Sequence, residues 1–385
     1  MRLSEGTLAL SEDTVRTRRE LHRIPESAYE EFETQKYVTD SLKQCFPDSI
    51  CTLAGTGVKA VWYTQGAQRT VAFRADMDAL VCEEENDVDY RSVHKCRMHG
   101  CGHDGHMTVL LMLARLIHAN RKRLSDNVVL IFQPAEEGYG GAKRAIADGA
   151  LVNPSVDIIY GEHLWPALPK GKIGIRWGAM MAQACELDFT VYGVSAHGAS
   201  PQLGVDAVVV AAQFISLLQT AITRSLDPHQ DALLTIGKIS GGSARNIISD
   251  KVVMNATLRA FSPEVYRKLM DRICAIADGL GVASGARLEI TELMQYPCLD
   301  NPRALVEDFY RFVDMEDIVL VEPAMAAEDF ACYQQKAPGL FFFLGVGGGK
   351  NSKPLHNSLF DFDEDALLNG VEIFARLLGI NNTAD

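Results

Sequence analysis

The apolar pattern of this chain changes character near residue 182 and again near residue 294. Before the first change, continuous apolar runs alternate with amphipathic stretches. Residues 58–63, 70–73, 127–132 and 157–160 read as buried strands. Helices are expected from Ser11, read as a cap, through Arg18 and Leu21, and over 30–43 and 109–117. Uninterrupted apolar strands between helices predict an α/β sheet covered on both faces.

From 182 the period shortens to two. Leu187, Phe189 and Val191 alternate with polar residues, which describes a strand with one buried face. A helix over 206–224 and a strand over 232–239 follow. Val252, Met254, Ala256, Leu258 and Ala260 then mark another alternating strand. Ser262-Pro263-Glu264 opens a helix with a cap and a proline at its first position. Leu269, Ile273, Ile276 and Leu280 give that helix its stripe, and 287–293 closes the unit as a strand. The order β-α-β-β-α-β is a split-βαβ arrangement. The predicted organisation is therefore a large α/β catalytic domain of residues 1–181 and 294–385 with a mostly parallel sheet. Residues 182–293 form an inserted α+β domain.

Composition narrows the function classes. A chain of 385 residues suits two to three domains, and 47% hydrophobic with 23% charged residues excludes wholesale disorder. Lys and Arg total 37 against 50 Asp and Glu, a net charge of −13. With no basic run longer than Arg121-Lys122-Arg123, nucleic acid is not an expected partner. No signal-peptide core opens the sequence, and the apolar runs 109–114 and 207–212 are too short to cross a bilayer, so no membrane partner is expected. Nine cysteines without a CxxC pair read as reduced thiols in a cytoplasm.

The densest chemistry is Met98-His99-Gly100-Cys101-Gly102-His103-Asp104-Gly105-His106, a thiol and three imidazoles just before a buried helix. The strand 127–132 runs into Gln133-Pro134-Ala135-Glu136-Glu137-Gly138. Adjacent carboxylates repel each other unless cations neutralise them, and they point in different directions. One can ligate while the other moves protons. Gly161-Glu162-His163 follows a third strand, and His356 sits on a late loop. Cys, His, Glu, His and His suit borderline-soft divalent metals, and more than four ligands suggest two ions sharing one of them. Zn2+ or Mn2+ fits this set, with Co2+ or Ni2+ as further candidates. A thiolate can bridge, and Glu136 would be the general base toward a metal-activated water. The glycines of 345–350 do not keep phosphate-loop spacing, which leaves them a turn.

Five segments, 19–26, 74–80, 98–106, 133–138 and 195–201, resemble the di-metal aminoacylase and carboxypeptidase superfamily. The likeness is greatest to its Cys-bridged amidohydrolase branch of hippurate hydrolases, auxin-conjugate hydrolases and N-acetyl-diaminopimelate deacetylases. The resemblance implies that Cys101 bridges, that His103 and His163 complete one metal site, and that Glu137 and His356 complete the other. Glu136 matches the base. Asp76 falls where the superfamily keeps a carboxylate behind its ligands, and Arg74 where other branches have a metal-binding histidine. His197 matches a histidine that stabilises the oxyanion across a dimer interface. Asn246 and Arg259 match positions that hold the substrate carboxylate, and Arg259 shares a strand face with Asn255 and Thr257. The inserted domain is then a ferredoxin-like lid and dimerisation module. Gly100, Met107 and Val81 depart from the branch pattern and bear on substrate preference. The expected activity is hydrolysis of N-acyl amino acids by a cytoplasmic homodimer carrying two divalent ions per subunit. The alternatives are a dipeptidase or carboxypeptidase-type exopeptidase, and a non-catalytic metal- or amino-acid-binding protein.

Overall fold

The computed structural model describes residues 1–138, 140–348 and 352–380. Gly349, Lys350 and Asn351, the end of the glycine-rich run, lie outside the described residues. Two compact units emerge. One comprises Met1–Gly178, Asp300–Glu322 and the chain from Asp329 onward. The other comprises Ala179–Leu299 and Pro323–Glu328.

The first unit is built on an eight-stranded sheet. Its order is Ser49–Leu53, Gly57–Trp62, Asn127–Gln133, Thr70–Asp76, Ile158–Pro169, Gly339–Gly347, Ile173–Ile175 and Ile318–Leu320. The central pairings are parallel, and antiparallel pairs lie toward both ends. Gly57–Trp62, Thr70–Asp76 and Gly339–Gly347 are buried along their whole length. Their unbroken apolar runs therefore need cover on both faces. Helices His103–Ala119 and Leu367–Leu377 contribute much of that core, with Phe73 stacked near Tyr160 and Phe374.

Register explains where chemistry collects. Asp76 lies opposite Gln133, Phe73 opposite Tyr160, and Phe343 opposite His163. Parallel strands thus deliver residues 76–78, 134–137 and 161–163 to one edge, the usual place for a site in an α/β sheet.

Two elements differ from the sequence reading in ways that matter. The helix expected over 109–117 starts at His103, because Gly102 adopts φ 87° at the N-cap. That left-handed turn is cheap only for glycine. The strand expected to stop at Tyr160 continues to Pro169, so His163 sits on the strand itself. Ser11 is the first helical residue rather than a cap.

The second unit carries a four-stranded antiparallel sheet in the order Ala232–Gly241, Lys251–Ala260, Gln183–Tyr192, Arg287–Tyr296. Helices Ala207–Ser225 and Pro263–Ser284 supply the other half of its core, with Phe214, Leu218, Leu269 and Ile273 meeting Phe189, Met254 and Leu258. Asp206 caps the first helix through Val208 and Val209, and Ser262 caps the second through Glu264 and Val265. The run 207–212 belongs to a helix of 19 residues that is long and apolar enough to cross a membrane by length and composition. Residues 323–328 join this unit through a parallel bridge from Met181 to Ala324 and a 2.6 Å bond from Arg259 to the Met325 carbonyl.

Candidate metal centre

Each candidate ligand is set by backbone before any ion enters the argument. Gly102 turns the chain so that Cys101 precedes, and His103 opens, the buried helix. His103 Nδ1 donates to the Asp78 carbonyl at 2.8 Å, so in the neutral ring Nε2 carries the lone pair. His163 Nδ1 donates to the Leu164 carbonyl at 2.8 Å, which leaves its Nε2 likewise a lone-pair donor. Backbone carbonyls fixing the tautomer of metal-binding imidazoles is a recurrent device. His356 is held at φ 64°, an uncommon conformation for a residue with a Cβ, and its amide bonds the Gly100 carbonyl at 2.8 Å.

These atoms converge. Cys101 Sγ lies 3.4 Å from His163 Nε2 and 3.3 Å from His356 Nε2. Glu137 Oε1 lies 3.2 Å from His356 Nε2 and 3.9 Å from His103 Nε2. Among the triads that meet the spacing of a metal site are Cys101–His103–His163 and Cys101–Glu137–His356, and Cys101 belongs to both. Glu136 stands with His103 and Glu137 in a further group whose ligand atoms lie within 4.8 Å of one another.

Electrostatics says what the cluster lacks. Burial, reinforced by Glu137, Glu136 and Asp76, pushes the Cys101 thiol well above its ordinary range. Burial opposes a charge on His103, yet Asp76, Asp78 and Glu137 outweigh it and raise that ring to about 10. Burial, then His106, holds His163 down to about 3. A pocket rich in carboxylates, which loads a proton onto one imidazole and keeps a thiol neutral, is complementary to divalent cations. They would take the place of those protons. The buried Nε2 of His103, which has no hydrogen-bond partner, fits the same reading. The donor set therefore fits two ions.

The remaining imidazoles of the motif stand outside the two Cys101 triads. His106 Nε2 accepts the Leu164 amide at 3.0 Å and its Nδ1 donates to Asp76 at 2.6 Å, so both its nitrogens are engaged. His99 is buried, and burial pushes it down to about 3. Asp76 thus braces His106, and its other oxygen meets Arg74 at 2.8 Å. Arg74 is turned from the ligands toward Gln133 and Asp329, at 2.9 and 2.7 Å.

Asp78 was not singled out by the sequence. Its backbone orients His103, and its carboxylate accepts the amides of Glu136 and Glu137, each at 3.0 Å. It lay inside the 74–80 motif, but nothing in the linear pattern distinguished it from Asp76.

In the second unit, His197 and Asn246 share a small two-stranded element. His197 pairs with Ile247, and the Gly198 amide bonds the Asn246 carbonyl at 2.7 Å. His197 Nδ1 accepts the Ala199 amide at 3.1 Å, so its hydrogen resides on Nε2 and that exposed side can donate. Arg259 is half-buried on the Lys251–Ala260 strand.

Residues 72–379 match the family model described as peptidase family M20/M25/M40. The chain belongs to this family. Among M20 relatives, it is 35% identical to the N-acetyldiaminopimelate deacetylase of Anoxybacillus flavithermus over 366 residues, covering 94% of this chain and 96% of that one. It is 36% identical to the N-acetyl-L-cysteine deacetylase of Bacillus subtilis over 362 residues, covering 93% and 86%. The crystal structure of Bacillus subtilis YXEP, described as a dinuclear metal binding peptidase from the M20 family, superposes with a TM-score of 0.84. Its identity is 30%, with 96% and 98% of the two chains covered.

Proposed function

We propose that this M20 chain is a two-metal amidohydrolase that cleaves N-acyl amino acids to a carboxylic acid and a free amino acid. The observation that carries the reading is the shared thiol. Cys101 belongs to two donor triads, while Glu136 stands beside them with its amide pinned by Asp78. The deacetylase relatives and the dinuclear M20 structure support the substrate class and the two ions. Imidazole and thiolate favour Zn2+, Co2+ or Ni2+, and the carboxylate accommodates Mn2+.

Cys101, His103, His163, Glu137 and His356 would hold the cations, whose Lewis acidity would polarise the scissile carbonyl and lower the pKa of the attacking water. The chain's own groups move the protons. Glu136 accepts the proton of the water as its oxygen bonds the acyl carbon, then delivers that proton to the nitrogen as the C–N bond breaks. His197 donates its Nε2–H to the oxyanion, and Asn246 and Arg259 hold the amino acid's carboxylate. Guanidinium suits that planar anion.

The assembly is a C₂ homodimer in which each His197 serves the partner's site. Two surfaces support this. The outer face of Ala207–Ser225 leaves Val208, Val209 and Leu217 exposed along a shallow groove of about 590 Å³, and the Ala232–Gly241 strand lies at one edge of its sheet. Among the described residues the nine cysteines form no disulfide, which suits a reducing cytoplasm.

Glu136→Gln tests the mechanism. It should retain both metals and lose kcat by about 10²–10⁴-fold. Near-normal turnover, or loss of metal, would refute the role of Glu136.

A further inference from the structure

Glu31 occupies a position that its local structure does not explain. It is the N-cap residue of helix Phe32–Lys43, where a side chain ordinarily accepts the first free amides of its own helix. Glu31 does not. Glu26 does so in its place, with its carboxylate accepting the amides of Glu33 and Thr34 at 3.1 and 2.9 Å. Glu31, fully buried, is released to point elsewhere.

Its target is the loop that carries the base. Glu31 Oε1 accepts the Ala135 amide at 3.0 Å, and Oε2 accepts the Thr56 hydroxyl at 2.5 Å. Ala135 has φ 58°, a sparsely populated conformation for a residue with a Cβ, and it immediately precedes Glu136. Its carbonyl is held from the other side by the Gly141 amide at 3.0 Å. Asp78 holds the next two amides. Three successive amides, those of Ala135, Glu136 and Glu137, are thus clamped by two buried carboxylates that arrive from different elements. Strained backbone of this kind persists only where its surroundings over-determine it.

We infer that Glu31 is a positioning residue for the proposed base: it holds Ala135 in its left-handed turn and thereby sets where the Glu136 carboxylate stands. The inference rests on the amidohydrolase reading given above. A misplacement of about 1 Å at a catalytic group lowers rate by about 100-fold, so loss of this anchor should act on kcat.

Three variants and three readouts, kinetics, metal content and hydrogen exchange, test it. Glu31→Ala removes the acceptor. Glu31→Gln keeps it, since the amide oxygen can accept from Ala135 while its NH₂ donates to Thr56. Thr56→Val removes only the hydroxyl that steadies the carboxylate. With an N-acetyl amino acid and a fixed Mn2+ concentration, Glu31→Ala should lower kcat by about 10- to 100-fold. KM and metal content should stay near wild type, and Glu31→Gln should restore most of the rate. Thr56→Val should fall between them. By hydrogen exchange, the amides of residues 134–137 should exchange faster in Glu31→Ala than in wild type or Glu31→Gln.

Wild-type kcat in Glu31→Ala, equal loss in Glu31→Ala and Glu31→Gln, or loss of metal together with rate would overturn the inference. If Glu31→Ala does not fold, wild-type kcat in Thr56→Val overturns it. A wild-type enzyme inactive on every N-acyl amino acid would refute the amidohydrolase reading instead. Hydrogen exchange would then still decide whether Glu31 holds the loop.

Discussion

Asp78→Asn exposes the strength of the clamp beneath the site. The two carboxylate oxygens of Asp78 accept one amide each, from Glu136 and Glu137, both at 3.0 Å and both out of water. Asparagine keeps the shape but turns one acceptor into a donor, so one amide faces an N–H instead of an oxygen. A hydrogen bond to a charged group is worth about 1.5–3 kcal/mol, and a buried donor left without a partner costs a further 1–3 kcal/mol or so. Some relaxation brings the net to about 3 kcal/mol. If that loss falls on the placement of Glu136 and Glu137, kcat should drop about 100-fold, at roughly 1.4 kcal/mol per decade. If it falls on folding, the midpoint should drop by roughly 6–12 °C, at about 2–4 °C per kcal/mol for a unit of this order of size. Steady-state kinetics, metal content and calorimetry on one preparation separate the two. An Asp78→Asn enzyme with wild-type kcat, wild-type melting temperature and both metals would refute the reasoning.

Cys101→Ser replaces a shared anionic donor by a neutral hydroxyl, so isothermal titration should show both metal affinities weakened together. One unchanged site would show that the thiol does not bridge. Mixing Glu136→Ala with His197→Ala subunits should return roughly a quarter of wild-type activity, since half the dimers are mixed and each has one intact site. Silence after verified exchange would show that His197 does not act across subunits. Burial holds the Glu31 carboxyl up at about 7, with Asp78 adding to it. The neutral form is the one the fold favours, so the stability it contributes is present below about pH 4 and lost as pH rises through 7. Glu31→Gln escapes that loss. In the metal-free protein, its unfolding free energy relative to wild type should therefore rise by about 1–3 kcal/mol between pH 5 and pH 8; a flat difference would show that Glu31 does not titrate there.

Much of the fold was legible because its signals are local. Unbroken apolar strands announced the sheet of the first unit, and the Ser262-Pro263 start of a helix was read correctly from two residues. The candidate site was legible because rare donors crowd into 98–106 and 136–137. What escaped depends on long-range packing. Glu31 looked like any residue near the start of a helix, and only folding shows that Glu26 replaces it as cap and leaves it aimed at Ala135. Asp76 and Asp78 alternate along one extended segment, so spacing could not say which would brace His106 and which would hold the amides of Glu136 and Glu137. Gly102 mattered for its positive φ, which moved the start of the helix back to His103 and made a predicted loop into a helical turn. Residues 323–328 join the second unit through backbone bonds to residues 180–182 and an arginine bond, neither visible as a pattern in sequence.

The reaction itself is tested most directly by titrating metal-free protein with Zn2+, Mn2+, Co2+ or Ni2+ while measuring free amino acid released from a panel of N-acyl amino acids, with dipeptides as the competing panel. Release from the N-acyl panel should be absent without metal, rise with added ion and level off near two equivalents per chain, and Glu136→Gln should stay flat at the same loading. Release that persists without metal, a plateau at one equivalent, or cleavage confined to dipeptides would contradict a two-metal amidohydrolase of N-acyl amino acids.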